Sequence, residues 1–401
     1  MKIKPNILII TQLFPNAYNP AIGTFIVDQL HALKQYFNIT VITPYSVSLR
    51  FILSNKQKSI INDNGLEIYY IKYHPFWLSL LQWLRIIRNK QASLINKRYV
   101  RYKIIKQAKK LHNKKRFILV HGHEIYIGDE ASLIGNILKI PSLITIHGLY
   151  PQHLATFGKG VLKQAVDNLK NMNVLICVSK NAANTYQKIV NKQIHIIPNG
   201  INIPSPKSIT PYWQNVMKNK IVLMTIGSFV PEKRIEMVIQ ANHQLIQNKI
   251  NNFITLIIGK GPKKKYYQEL IQSKQLHNNV YIINELPPKQ LINFMACCHV
   301  LIQPSVVESF SMVCLEAMSL KKPFICTAST GIAEYITNDQ QGYIIDPDNQ
   351  NQLLEKLTLL INDKQQREKM GQAGYLTAQT LTWDKIINKT IYIYRNLTNN
   401  G

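Results

Sequence analysis

Two glutamates, Glu308 and Glu316, stand eight positions apart within the segment QPSVVESFSMVCLEAMSLKKPF, residues 303–324. An apolar strand pattern precedes them, and a helix pattern that begins near Ser309 runs through them. The free N–H groups and the positive dipole end of such a helix bind anions such as a diphosphate. Eight helical residues span about 12 Å, and a carboxylate accepts hydrogen bonds from paired hydroxyls. The spacing therefore favours one glutamate at each end of a sugar nucleotide, and the alternative is a solvated helix face.

Glycines and a lysine follow two other predicted strands of the second half of the chain. In TIGSFVPEKR, Gly227 permits a tight turn, and Lys233 can reach an anion at the edge of the sheet. A lysine is a point charge that suits a diphosphate. In LIIGKGP, Gly259 and Gly261 end a strand, where they allow either a close backbone approach or a simple turn. Because G-x-G-x-x-G is incomplete there and no acidic residue follows at dinucleotide spacing, a nicotinamide site is disfavoured.

Histidines follow two predicted strands of the first half. His147 comes after a strand in TIHGLYP, and His121 and His123 come after the neighbouring strand in VHGHE. Such a histidine can donate to a substrate hydroxyl or phosphate, although a lone histidine is more often structural. One nearby carboxylate, Glu124, and no i, i+4 histidine pair make a metal site improbable. Gly23 stands between a strand and a helix, where backbone can approach a phosphate or sugar.

The elements that must position these residues alternate between strands and helices in both halves. Short strands separated by helices predict parallel sheets covered on both faces. The chain has 401 residues, of which 46% are hydrophobic, so two domains are expected. We predict a Rossmann-like domain over residues 1–204, a proline-rich linker over 205–218, a second such domain over 219–382, and a C-terminal helix over 383–401 that packs back on the first. Doubly wound domains bind ligands at the carboxyl ends of their strands.

The net charge of +27 is concentrated in a basic arm, about residues 74–116. No Asp or Glu occurs between Glu67 and Glu124. Basic residues interleaved with Trp and Leu are typical of a membrane-surface element, and each Lys or Arg near an anionic leaflet contributes about 1 kcal/mol. The alternatives are nucleic-acid binding, which lacks an array of stacking aromatics here, and a solvated helical hairpin. The predicted membrane contacts are Trp77, Trp83, Arg85, Arg88, Lys97, Arg98 and Arg101.

Five cysteines show neither disulfide nor zinc spacing, so we expect reduced thiols in a cytoplasmic protein. No apolar run reaches transmembrane length, and the apolar stretch at residues 7–10 is too short for a signal peptide. Together with the basic arm, this predicts a peripheral protein at the inner face of the plasma membrane.

In this order, the motifs resemble those of the retaining glycosyltransferases of family 4, in the GT-B superfamily. The resemblance covers nearly the whole chain, from LFPNAYNPAIGTF through TIHG, VSK, IIPNGI, GSFVPEKR and IGKGP to VESFSMVCLEAM. It implies a GT-B fold, with two Rossmann-like domains that face each other across a deep cleft. It also implies transfer of a hexose from a UDP- or GDP-sugar to an acceptor hydroxyl with retention of configuration.

The resemblance also implies roles for particular residues. Glu316 would hold the ribose hydroxyls, Glu308 would lie near the donor sugar and its phosphate, and Lys233 would neutralise the diphosphate. His147 would lie near the transferred sugar, so the expected catalytic residues are His147, Glu308 and Lys233. The expected donor contacts are Gly23, Gly227, Ser228, Lys233, Arg234, Gly259, Gly261, Glu308, Ser309, Phe310, Ser311, Met312, Val313 and Glu316.

Two positions depart from the family pattern. Many members carry Arg directly after the glycine, where this chain has Ser228, and Arg234 follows Lys233 in place of the common glycine. Either Arg234 replaces the Arg that many members carry at position 228, or Lys233 and the helix dipole alone hold the leaving group. The dipole contributes about 0.3–2 kcal/mol. The family is metal-independent, so no metal and no cofactor are expected, and the cation would supply the leaving-group stabilisation.

We see no second carboxylate facing Glu308, so we favour a same-face mechanism in which the leaving phosphate oxygen accepts the acceptor's proton. The expected acceptor is a saccharide or a lipid-linked saccharide of cell-surface polysaccharide, lipopolysaccharide or glycolipid synthesis, and no nucleic-acid partner is expected. Two other classes stay open: a nucleotide-sugar epimerase on a similar fold, and a non-enzymatic basic binder of membrane or nucleic acid. The donor base, the linkage and the oligomeric state have no signal in the sequence.

Overall fold

A computed structural model describes residues 4–46, 60–73, 89–148 and 159–399. The predicted membrane contacts Trp77, Trp83, Arg85 and Arg88 lie outside these residues. The chain divides into two compact units. The first comprises residues 1–200 and 383–401, and the second comprises residues 201–382.

The first unit contains an eight-stranded sheet in its described part. The strands are β1 (Asn6–Thr11), β2 (Asn38–Ser46), β3 (Ile60–Asp63), β4 (Leu66–Tyr73), β5 (Leu119–His123), β6 (Ser142–Ile146), β7 (Val174–Cys177) and β8 (Ile194–Ile196). Their order is β3-β4-β2-β1-β5-β6-β7-β8, and every neighbouring pair is parallel except β3 with β4. The central strands β1, β5 and β6 are almost fully buried, as a sheet covered on both faces requires; β1 and β6 are mainly apolar, whereas β5 contains His121 and His123.

Helices cover this sheet, and the last of them comes from the far end of the chain. They are α1 (Thr24–Leu33), α2 (Asn89–Lys115), α3 (Glu130–Leu138), α4 (Lys159–Asn171), α5 (Lys180–Val190) and the C-terminal helix (Trp383–Asn399). The C-terminal helix packs against α1, and its Trp383 and Tyr394 are buried. Within the described ranges, no helix combines the length and apolar character needed to cross a bilayer.

Helix α2 corrects part of the predicted membrane contact. Its inward stripe is Val100, Ile104, Ala108 and Leu111, and Lys97 lies on the same stripe with a side chain that is 0% exposed. The Lys97 ammonium is 2.8 Å from the carboxylate of Asp129. Arg101 is 2.6 Å from the buried carboxylate of Glu130. Lys97 and Arg101 therefore anchor α2 to α3 and do not face a membrane, whereas Arg98 is exposed.

The second unit contains a six-stranded, all-parallel sheet. Its strands are β9 (Ile221–Ile226), β10 (Phe253–Ile258), β11 (Val280–Ile283), β12 (Val300–Gln303), β13 (Phe324–Thr327) and β14 (Tyr343–Ile345), in the order β11-β10-β9-β12-β13-β14. Its helices are α6 (Pro211–Met217), α7 (Ile235–Gln247), α8 (Lys264–Ser273), α9 (Pro288–Cys297), α10 (Met312–Ser319), α11 (Gln350–Asn362) and α12 (Lys364–Thr380). Helix α6 lies within the segment 205–218 that we predicted to be a linker.

Each sheet reverses its winding direction at one point. In the second unit the chain winds outward from β9 through β10 to β11, and from β12 through β13 to β14 on the other side. In the first unit the reversal lies between β1 and β5. These two Rossmann-like α/β units confirm the predicted fold class. Because connections leave such a point in opposite directions, a crevice opens at the carboxyl ends of the two strands, and ligands bind there.

Candidate functional site

The crevice of the second unit is formed by the segments that follow β9 and β12. Gly227 comes directly after β9, and Glu308 comes five residues after the end of β12. Lys233 lies in a short 3₁₀ turn, Pro231–Lys233, beyond Gly227. The sequence analysis placed these residues at the ends of strands, and the structure brings Gly227, Lys233 and Glu308 together.

An ion pair between Lys233 and Glu308 is the centre of this crevice. The ammonium hydrogen-bonds the Glu308 carboxylate, and the two side chains are 22% and 21% exposed. The amide of Gln303 lies 3.4 Å from the same carboxylate oxygen. A Cβ atom on Gly227 would lie 3.5 Å from Cδ of Lys233, so the glycine provides a surface over which the lysine stem lies. The pair remains open to solvent, where an anion can reach the ammonium.

Helix α10 begins three residues later than the sequence predicted. Ser311 is its N-cap, with φ 78° and a hydroxyl that accepts from the N–H of Cys314 at 3.4 Å. Residues 308–310 are not helical, because the Glu308 and Phe310 carbonyls accept from the N–H groups of Gly331 and Ile332 at 3.0 and 2.8 Å. Glu308 and Glu316 therefore do not share a helix. The prediction that they lie about 12 Å apart along one helix axis was wrong.

The start of α10 is nevertheless suited to an anion. The first N–H groups of a helix have no intrahelical acceptor, and in α10 these belong to Met312 and Val313, both half-buried. Glu316 lies one turn further along and is also half-buried. Ser309 and Phe310 are buried, and the Phe310 ring packs edge-on against Tyr335 at 5.7 Å. Of the predicted segment 309–313, the backbone at 311–313 is thus the part best placed to bind phosphate oxygens.

Gly259 and Gly261 are explained by packing. A Cβ atom on Gly259 would lie 1.9 Å from the carbonyl oxygen of Gly227, and one on Gly261 would lie 2.7 Å from the backbone of Phe229. The Phe229 N–H donates to the Lys260 carbonyl at 2.8 Å. Because these glycines have no side chains, the segment after β10 lies directly on the segment after β9. The glycines thereby fix the backbone of the segment after β9, which forms one wall of the crevice.

Arg234 is engaged by two carboxylates. Its Nε is 2.7 Å from Asp348 and its Nη1 is 3.7 Å from Glu236, and the Asp348 contact raises the pKa of the guanidinium. The residue has φ 50°, and it separates the 3₁₀ turn from α7. Ser228 is exposed. Of the two cations that the sequence analysis left open, Lys233 pairs with one carboxylate, that of Glu308, and Arg234 pairs with two.

A hydroxyl cluster behind Glu308 was not predicted as a unit. The Thr327 hydroxyl lies 2.9 Å from that of Ser329 and 3.1 Å from that of Thr330, and Ser329 donates to the Ser305 carbonyl at 3.2 Å. This cluster ties the segment after β13 to the segment after β12 and so supports the backbone pairing that positions Glu308. The only sequence signal for it is the Ser and Thr content directly after these two strands.

In the first unit, Gly23 has a clear conformational reason to be glycine. It is the N-cap of α1 with φ 66°, and a Cβ atom there would lie 2.1 Å from the Leu13 carbonyl oxygen. The loop after β1 therefore packs directly on the start of α1. A side chain at this position would displace the loop that lies at the reversal point of this sheet.

Three histidines meet at the same edge of the first unit. His123 Nδ1 is 3.0 Å from His147 Nε2, and their rings are stacked at 10°. His121 contacts the Tyr394 hydroxyl at 2.5 Å and the Thr145 hydroxyl at 2.9 Å. Desolvation lowers the pKa of His121 and His147 to about 3 and places the pKa of His123 well below its usual value. His147 is therefore a neutral imidazole that can donate or accept, not a cation.

We predict that this histidine cluster makes the protein acid-labile. The unfolded chain protonates these histidines below about pH 6.5, whereas the folded protein keeps them neutral, so stability is complete above that pH and falls as the pH drops toward 3. Each such histidine contributes a slope of up to about 1.4 kcal/mol per pH unit. Urea unfolding between pH 7.5 and 5 measures this slope. His123→Gln should reduce it, and His195→Gln, at an exposed position of the same unit, should leave it unchanged.

Comparison with protein families decides the class. The model of "Glycosyltransferase Family 4" matches residues 62–204, and that of "Glycosyl transferases group 1" matches residues 213–377. The chain belongs to the group 1/family 4 glycosyltransferases. The two matches cover most of both units, and the second one contains the whole crevice around Lys233 and Glu308. The chain is therefore a transferase of the GT-B type.

Relatives and solved structures agree with this assignment. The chain is 27% identical over 286 residues to the uncharacterized glycosyltransferase MJ1178 of Methanocaldococcus jannaschii, over 70% of this chain and 76% of that protein. It is 22% identical over 392 residues to TuaC of Bacillus subtilis, a glycosyltransferase provisionally named for teichuronic acid biosynthesis, over 93% of both. Its fold is similar to that of sucrose-phosphate synthase from Thermosynechococcus elongatus, with TM-score 0.77, 18% identity and full coverage of both chains. It is also similar to Anabaena HepE in complex with UDP-glucose, with TM-score 0.70, 16% identity, and coverage of 98% of this chain and all of that one.

The arrangement of metal-ligating side chains and the state of the cysteines also bear on the chemistry of the site. In the described part of the chain, no three His, Cys, Asp or Glu side chains are grouped as a metal ion requires. The five cysteines are free thiols, and four of them are buried. Burial raises the pKa of Cys314, on α10 beside the crevice, to about 12, so this thiol is not a nucleophile.

Proposed function

We propose that this glycosyltransferase transfers a hexose from a nucleoside diphosphate sugar to an acceptor hydroxyl with retention of configuration and without a metal ion. The observation that carries the proposal is the solvent-accessible Lys233–Glu308 pair, which lies in the crevice that also contains the start of α10. A partly exposed ammonium and two helix N–H groups match the charge and the acceptor oxygens of a diphosphate. Glu316, one turn into α10, would accept hydrogen bonds from the ribose hydroxyls.

The proposed reaction breaks the bond between the anomeric carbon and the phosphate oxygen. Negative charge develops on the leaving diphosphate, where Lys233 and the N–H groups of Met312 and Val313 would stabilise it. The acceptor oxygen bonds to the anomeric carbon on the same face, and its proton passes to the leaving phosphate oxygen. Glu308 would hold Lys233 in place and contact the donor sugar, and the neutral His147 would hydrogen-bond the transferred sugar.

Nucleotide binding is the first test. UDP and GDP are titrated separately by calorimetry into wild type and Glu316→Gln without metal. We expect one nucleotide to bind and Glu316→Gln to weaken it at least about ten-fold, because a carboxylate that accepts two hydroxyls is replaced by a weaker acceptor. UDP is the first choice because the similar HepE structure contains UDP-glucose. Glu334→Gln, an exposed position of the same unit, is the control. Equal binding by wild type and Glu316→Gln would contradict the donor site.

We further propose that the acceptor is presented at an anionic membrane surface, in cell-surface polysaccharide or glycolipid synthesis. The relative TuaC, with its name in teichuronic acid biosynthesis, supports the polysaccharide class. The outward face of α2 supports the membrane: Tyr99 and Tyr102 are 46% and 62% exposed there, and they lie among exposed cations. Those cations are Arg98, Lys106, Lys109, Lys110 and Lys114.

Charge reversal on α2 tests the membrane contact. Lys106→Glu/Lys110→Glu should weaken binding to phosphatidylglycerol vesicles at least about ten-fold, because each cation near the surface contributes about 1 kcal/mol. Lys385→Glu/Lys389→Glu is a matched control, since these lysines are exposed and spaced four residues apart on another helix of the same unit. Cosedimentation with the vesicles measures the binding of both double variants. If the two double variants bind alike, α2 does not contact the membrane.

A further inference from the structure

A second pocket of the second unit lies at the edge of the sheet opposite the crevice. It has a volume of about 780 Å³, and its walls come from the loops that lead into the amino ends of the central strands and from the start of α12. Lys220 directly precedes β9, His299 directly precedes β12, and Lys322 lies just before β13. Because the crevice residues follow the carboxyl ends of the same strands, and six residues of β9 span about 20 Å, this pocket is separate from the donor site.

The pocket is strongly cationic. Five of its thirteen lining residues are Lys or Arg, against 48 of 401 in the whole chain, so the general lysine enrichment does not explain it. They are Lys220, Lys321, Lys322, Lys364 and Arg367. The one acidic lining residue, Glu368, pairs with Lys364 at 3.7 Å. Within the described residues, no carboxylate lies within 4.0 Å of the ammonium groups of Lys220, Lys321 or Lys322. Like charges brought together without a counter-ion destabilise the fold, and a bound anion removes that cost.

Two of the lining groups are rigid. Arg367 is only 9% exposed, and its Nη1 donates to the carbonyls of Leu360 and Ile361 at 2.6 and 3.0 Å. The ring of His299 accepts the Val222 N–H at Nδ1 at 2.9 Å, which places its proton on Nε2. The pocket therefore offers a fixed guanidinium and a fixed imidazole N–H in addition to flexible lysines.

The positive charges of the pocket also act on His299. Desolvation lowers its pKa to about 4, and the positive charges of Arg367 and Lys322 add to this lowering. The imidazole is neutral at physiological pH and donates from Nε2. The first turn of α12 contains Lys364 and Arg367, so the positive end of that helix dipole lies at the same place.

We propose that this basic pocket, lined by Lys220, His299, Lys321, Lys322, Lys364 and Arg367, binds a phosphate-bearing anion, either a soluble phosphate ester or the phosphate headgroup of a lipid. Point-charge lysines around a fixed guanidinium suit the three oxygens and the double charge of a phosphate monoester better than they suit a carboxylate. The volume admits a ligand larger than inorganic phosphate. The inference does not rest on the proposed transferase reaction, since it concerns a different edge of the sheet.

Histidine NMR with pyrophosphate as the probe tests the pocket. The His299 resonances, assigned with His299→Asn, should shift on titration, and the His299 pKa should rise because the anion offsets the nearby positive charge. Lys220→Ala/Lys322→Ala should weaken this response at least about ten-fold. Lys265→Ala/Lys289→Ala, at exposed positions outside the pocket, should change it less than about two-fold. Lys233→Met should leave it unchanged, which separates the pocket from pyrophosphate binding in the donor crevice.

Two further probes identify the source of the phosphate. Glycerol 3-phosphate represents soluble esters, and vesicles containing phosphatidic acid represent lipids. The vesicle arm uses Lys106→Glu/Lys110→Glu as the parent protein, so that the contribution of α2 to vesicle binding is reduced. A response to either probe that is lost in Lys220→Ala/Lys322→Ala supports the site and names its ligand class. If His299 does not respond to millimolar pyrophosphate, or if Lys220→Ala/Lys322→Ala responds like wild type, the proposal is overturned.

Discussion

Lys233→Met is expected to lower kcat about 10²–10³-fold while the protein stays folded. The proposed role of Lys233 is to neutralise charge that develops on the leaving diphosphate, and removal of one such preorganised group costs about this factor. Methionine keeps an unbranched stem over Gly227, so the crevice wall is preserved. The side chain is 22% exposed, so loss of its ion pair with Glu308 should change the free energy of unfolding little. Initial rates with the donor identified by calorimetry measure the effect.

A neighbouring lysine provides a matched control for Lys233. Lys260 follows β10 at the same edge of the sheet and also pairs with a glutamate, Glu285, but it is 64% exposed. Lys260→Met should keep kcat within about two-fold of wild type. Lys233→Arg retains the charge in a planar, longer group and should lie between wild type and Lys233→Met. If Lys233→Met retains the wild-type kcat, another cation stabilises the leaving group, and Arg234 is the next to examine because it follows in the chain.

The positions of the crevice residues were predictable because parallel sheets impose them. Buried apolar runs such as 221–226 and 300–303 identify strands without any partner, and residues that follow such strands must share one edge. Lys233 and Glu308 are 75 positions apart, yet the pattern alone placed both there. The shared location of these residues at one edge of the sheet could therefore be inferred before the strand order was known.

The start of α10 was not predictable, because it depends on a distant segment. Ser309 is an acceptable N-cap by local preference. The backbone pairing of Glu308 and Phe310 with residues 330–332 instead keeps residues 308–310 out of the helix, and Ser311 takes over the cap. Local patterns contain no information on that pairing. The same limit applies to His121, whose partner Tyr394 lies 273 positions away on the C-terminal helix.

Lys97 was wrongly predicted to contact a membrane, although the sequence contained an indication that it is buried. The basic run without acidic residues was interpreted as a membrane-surface element, and the partners of Lys97, Asp129 and Glu130, lie more than 30 positions away. Lys97, however, falls on the helical stripe that continues through Val100, Ile104 and Leu111, and that spacing places it on the apolar, inward face. A charged residue on an apolar stripe is a reason to look for a buried partner.

We expect Lys97→Met to destabilise the protein by about 3–5 kcal/mol, because it leaves the buried carboxylate of Asp129 without its cation and that of Glu130 with Arg101 alone. Asp129 and Glu130 are 0% exposed at their side chains, and Lys97 is 2.8 Å from the first and 3.9 Å from the second. Urea unfolding at pH 8 measures the loss. Lys109→Met, at an exposed position of the same helix, should change the free energy of unfolding by less than about 0.5 kcal/mol. Similar losses in both variants would mean that the buried pair contributes nothing specific.

The cause of that loss can be separated from lost packing. Burial raises the pKa of Glu130 to about 7 even with Lys97 and Arg101 beside it, so without Lys97 its folded pKa must rise further, far above the unfolded value near 4.5. A raised carboxyl pKa destabilises the folded state as the pH rises, so the difference between wild type and Lys97→Met should shrink from pH 8 to pH 5.5. Asp129→Asn in the Lys97→Met background should restore part of the stability at pH 8, because the amide can still accept from Asn168, which is 2.9 Å from this side chain. A pH-independent loss without rescue would assign the effect to packing of the lysine stem and would leave α2 without an electrostatic anchor.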